Sequence, residues 1–161
     1  MALVSVCFDP DVPTNQAGFS ASIHGMPDDE FRRWGFVWRH RDRLTEIVQE
    51  VAEKHPLDKQ GTLRAPGLHV CIRVDPPAEP GSAPATPRID ATRFPRLLLT
   101  VPLEPHEQSC EGLRPVVYHE FTHVIDRQDP SFGITEELQE RASNSAHPCP
   151  GIGIWPSTFG T

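Results

Sequence analysis

The sequence predicts an α+β domain, on the strength of three patterns. Short β-branched runs bounded by proline or polar residues recur at 2–8, 67–74 and 96–102. A long helical period runs from about residue 28 to 55, and a second starts near Cys110. The length of 161 residues suits one domain, 1–161, large enough to bury its own core.

Composition narrows the class. The 18 prolines mark much irregular connection, while three Trp and eight Phe supply packing volume. A formal charge of −7 argues against nucleic acid as a main partner. No apolar run approaches 18 residues, so no membrane span is expected. The opening MALVSVCF is short and lacks a basic lead, which points to a cytoplasmic protein. Cys7, Cys71, Cys110 and Cys149 show no C-x-x-C spacing, and the two in strand-like runs are expected to be reduced.

Residues 2–8 end at Asp9-Pro10 and read as a strand, and 9–27 read as loop. In the long helix Asp28 or Asp29 caps the start, and His55-Pro56 closes the end. Trp34, Val37, Leu44, Ile47, Val48 and Val51 form its apolar face. Its arginines, interleaved with Asp42, Glu46, Glu50 and Glu53, read as a solvated mixed-charge face. Residues 67–74 alternate as a strand, and 75–88 form a Pro/Ala loop. The prolines bounding 96–102 suggest an edge strand.

From Cys110 onward Leu113, Val116, Val117, Phe121, Val124 and Ile125 define an apolar helical face, with Pro115 confined to the first turn. This helix carries His119-Glu120-Phe121-Thr122-His123, an H-E-x-x-H pattern. Two imidazoles four residues apart on a helix differ by about 40° and roughly 6 Å of rise, so both can reach one ion. Neutral imidazole suits Zn²⁺, and the intervening carboxylate, Glu120, can take a proton from a metal-activated water.

A catalytic zinc site needs a third protein ligand. Asp126 lies on the ligand face but close along the same helix, which suits orienting an imidazole better. A further helix, TEELQERASNSA, is capped by Thr135 and offers Glu136, Glu137 and Glu140. Glu140 lies deeper in that helix, with Asn144 four residues on, and is the preferred ligand. Glu137 is the alternative, ahead of Glu136 and of His147 in the tail. Cys149 raises a further reading, a tail thiolate that holds the site latent.

The H-E-x-x-H helix followed by a glutamate-rich helix resembles the zincin metalloproteases, and within them the gluzincins. HEFTHVID is similar to a form found in some bacterial gluzincins. Asp rather than Gly at 126, with no third His soon after, departs from the metzincin type. The resemblance implies a small mixed sheet, a long backing helix, an active-site helix and a glutamate helix. It also implies Zn²⁺ as cofactor, a peptide or protein substrate, and Glu120 as general base. Two features depart from the family pattern. Asn144 stands where an Asp is expected, and the short tail offers no tyrosine for the oxyanion, leaving His106 and His147 for that role. These departures keep a second reading open, a zincin-like metal-binding module without efficient catalysis.

Overall fold

The computed structural model describes residues 4–83, 85–104 and 106–128. Alternation of buried and solvent-facing side chains builds its sheet from β1 (Ser5–Asp9), β2 (His69–Asp75), β3 (Arg88–Arg93) and β4 (Arg96–Pro102). The spatial order is β1-β2-β4-β3. β1, β2 and β4 run parallel, and β3 is antiparallel to β4, so the sheet is mixed and the α+β class is correct.

One face of the sheet is apolar. Phe8, Val70, Ile72, Val74, Leu97, Leu99, Val101, Ile89 and Ala91 are all buried in a single core with the helices. The opposite face carries Ser5, Cys7 and Asp9 beside His69, Cys71 and Arg73, exposed or half-buried.

Between β1 and β2 lie α1 (Gln16–Ser22) and α2 (Asp28–Lys54). The segment expected to be all loop holds α1. Asn15 caps it by accepting from the Gly18 amide, and buried Phe19 anchors it by stacking on Trp38 at 4.6 Å. At 27 residues, α2 is about 40 Å long. Its start lacks the expected aspartate cap: Pro27 holds the N-cap position, and Asp28, Asp29 and Glu30 act on the helix dipole from the first turn. Val37, Leu44, Ile47, Val48 and Val51 are buried as their period requires, together with Phe36, while Trp34 is partly buried.

The mixed charge of α2 is present, but most of its partners lie on other segments. Arg32 grips Glu107 at 2.6 and 2.7 Å and Glu104 at 2.9 Å. Arg43 pairs with Glu111, and Glu50 accepts from Arg114 at 2.6 Å. Such pairs each contribute about 0–1 kcal/mol, and together they orient the lead-in to the last described helix, α3 (Leu113–Gln128).

The edge assignment of 96–102 is wrong. β4 is interior, paired with β2 on one side and β3 on the other. Its prolines bound the strand rather than interrupt it. Pro102 is the last paired residue, and Pro95 precedes the strand, where its carbonyl accepts from the His69 amide. Among the described residues the edge role on that side falls to β3, within a stretch given no element from sequence.

Candidate metal centre

α3 is buried almost all round, which explains how polar groups come to lie inside the domain. Leu113, Val116, Val117, Phe121, Val124 and Ile125 pack into the core as expected. His119 and Glu120, on the same helix, are only 4% and 6% exposed, and His123 is half-buried. Groups this polar are costly to bury without a partner or a function.

The two imidazoles converge, with Nε2 of His119 and Nε2 of His123 3.2 Å apart and the rings edge-on at 78°. Two nitrogens at about 2.05 Å from one tetrahedral zinc would be about 3.3 Å apart, so the observed spacing fits a shared ion. A Glu120 carboxylate oxygen joins them, all three ligand atoms lying within 4.8 Å of one another. The group can therefore hold a metal ion.

Protonation favours the same use. Burial, reinforced by the charge of His123, pushes His119 down to about 4. His123 is lowered by burial first and then by Arg127, with Asp126 opposing. Both rings are thus neutral near pH 7, the form that binds metal. Asp126 acts on His123 through charge. Glu120 moves the other way, pushed up to about 7 by burial against the opposing effects of Arg127 and the Ile89 amide. A carboxyl titrating there is matched to proton transfer at neutral pH.

Two residues not singled out for the site from sequence help position it. Ile89, on β3, meets α3 through its backbone. Its N–H lies near enough to act on the Glu120 carboxyl, opposing the effect of burial, and its carbonyl accepts from Arg127 at 3.4 Å. This places β3, the edge strand among the described residues, beside the site. His55, foreseen only as a helix terminator, reaches α3 from the end of α2. Its Nδ1 accepts from the Leu57 amide, so Nε2 carries the proton and donates to the Tyr118 carbonyl at 2.9 Å. The same nitrogen lies 2.9 Å from Thr122 Oγ1, whose hydroxyl donates to the Tyr118 carbonyl. Burial lowers the pKa of His55, which keeps the ring neutral.

His55→Ala should therefore destabilise the fold by about 1–3 kcal/mol, the usual cost of stranding buried polar partners, as read by urea unfolding. His55→Gln, which can restore a donor to the carbonyl, should recover part of the loss.

The neighbouring tyrosine, the other histidines and the remaining sequence candidates resolve individually. Tyr118 stacks on His55 with ring centroids 5.2 Å apart. His106 is buried and pushed down to about 4 by that burial, and it is not one of the three converging ligand groups. His24 is exposed, and His69 accepts or donates a 2.7 Å hydrogen bond with Ser5. Glu136, Glu137, Glu140, Asn144, His147 and Cys149, with the expected glutamate helix, lie outside the described residues. Among the described residues, no helix is long and apolar enough to cross a membrane. No protein-family model, curated protein or solved structure matches the chain.

Proposed function

We propose that the chain is a zinc-dependent metallopeptidase of zincin, gluzincin-like type. The observation that carries this reading is the 3.2 Å approach of the His119 and His123 nitrogens beside the buried Glu120 carboxyl. His119 and His123 hold the ion, and Glu140 completes the set, with Glu137 as the alternative. Bound Zn²⁺ supplies Lewis acidity, acidifying water and polarising a scissile carbonyl. Glu120 takes the proton from water and returns it to the leaving amine, a role to which a pKa of about 7 is suited. Among the described residues β3, rather than β4, is the edge strand beside the site and the one that an extended peptide can meet.

One observation favours the second reading, a metal-binding module without efficient catalysis. The Glu120 carboxyl is 6% exposed and lies near enough to the Ile89 amide to be acted on by it, so the base is packed against the strand that a substrate would have to meet.

A single experiment separates the two. Protein purified without chelator should contain stoichiometric zinc by elemental analysis. It should also cleave members of a proteome-derived peptide library, losing cleavage on chelation and regaining it with zinc. Stoichiometric zinc without cleavage selects the binding module, and absence of metal at this site defeats both.

A further inference from the structure

The polar face of the sheet, opposite the core, carries a second chemically distinctive group. Cys7 and Cys71 are direct partners in the parallel register of β1 and β2. Alternation sends both side chains to the same face, where each is half-buried. Both thiols are free, and they lie close enough for the Cys7 sulfur to act on the Cys71 thiol. The pairs on either side in the same register are tied together. Ser5 bonds His69 at 2.7 Å, and Asp9 bonds Arg73 at 3.0 Å, so the two strands are held in register around the sulfurs.

We propose that Cys7 and Cys71 form a reversible dithiol–disulfide site whose substrate is a low-molecular-weight disulfide such as oxidised glutathione. Adjacent strands lie about 4.8 Å apart, inside the Cα range that a disulfide spans. The same spacing is wider than the roughly 3.8 Å Cβ separation of a relaxed disulfide, so closure draws the strands together and the bond stays reducible. Burial, and then the Cys7 sulfur, push the Cys71 thiol up to about 12, so it keeps its proton near neutral pH. Either sulfur can open the exchange, and with Cys7 first Cys71 resolves it.

The exchange balances in two steps. The Cys7 thiolate attacks one sulfur of the small disulfide, forming a mixed disulfide and releasing one thiolate. Cys71 then gives its proton to solvent, attacks the Cys7 sulfur and expels the second thiolate. The protein loses two electrons and two protons, and the small disulfide becomes two thiols.

Neither step uses the His119–His123 group, so the test is independent of metal and of peptidase activity. Full-length protein is treated with oxidised glutathione, its remaining thiols are alkylated, and its peptides are mapped by mass spectrometry. The expected product is a Cys7–Cys71 cross-link, more abundant than all other pairings combined and reversed by reduced glutathione. Cys71→Ser should instead accumulate glutathione on Cys7. The proposal is overturned if the folded parent keeps both thiols alkylatable. It is equally overturned if the parent stops at mixed disulfides, or if these sulfurs pair mainly with Cys110 or Cys149.

Discussion

Glu120→Gln should keep its zinc and lose peptide cleavage by about 10²- to 10⁴-fold, the range associated with removing a general acid–base. The amide has nearly the volume of the carboxyl, so the packing around this buried position on α3 is preserved. His119 and His123 are untouched, and zinc content by elemental analysis should match the parent. Cleavage at the parent's rate would remove Glu120 from the mechanism. Loss of zinc together with cleavage would make Glu120 a ligand instead.

The same substitution should also change the metal-free protein. The Glu120 carboxyl titrates at about 7 in the fold, against about 4.5 when unfolded. Below the unfolded value both states are protonated and burial carries no ionisation penalty. As pH rises through the folded value, the unfolded chain ionises first and the fold loses stability, in total by about 3 kcal/mol for a shift of this size. Glu120→Gln has no proton to lose, so metal-free variant and parent should diverge between about pH 4.5 and 7, the variant being more stable above. The buried histidines act in the opposite sense. His119, at about 4 in the fold, costs stability as pH falls below its ordinary 6.5. Parent and variant share that contribution, so their difference isolates Glu120.

Periodicity made the two long helices legible from sequence alone. The apolar faces of α2 and α3 are set by residues three and four apart, which a linear reading detects directly. The two imidazoles and the carboxyl between them were legible for the same reason, being fixed by one local geometry. Strand placement was harder because a proline at a strand end looks the same in an interior strand as at an edge. β4 is paired on both sides between Pro95 and Pro102. In β3 only Ile89 and Ala91 are buried, among charged neighbours and next to a Pro/Ala loop, too faint a pattern to stand out. α1 hid because QAGFSAS offers one buried residue and a glycine. The His55 contact with α3 spans 63 residues and leaves no local trace, since a histidine before proline is already explained as a helix end. The Ile89 contact is of the same kind, a backbone carbonyl meeting Arg127 through tertiary packing alone.

Zinc should stabilise this protein by an amount that the two histidines control and Glu120 does not. A ligand that binds only the folded state at a hundredfold excess over its Kd adds about 2.7 kcal/mol, and about 4.1 kcal/mol at a thousandfold. The site is prepared for this before metal arrives. The imidazoles are already neutral, already at tetrahedral spacing, and held on a helix that the core packs from nearly every side. Little ordering remains to oppose binding, so the linkage should appear nearly in full. Thermal unfolding with and without zinc should therefore show a large upward shift in Tm for the parent and for Glu120→Gln. His119→Ala or His123→Ala should abolish most of it, because either change leaves one imidazole of the pair. An equal shift in the alanine variants would move the ion elsewhere on the chain. No shift in the parent would make the 3.2 Å approach an imidazole–imidazole hydrogen bond and nothing more.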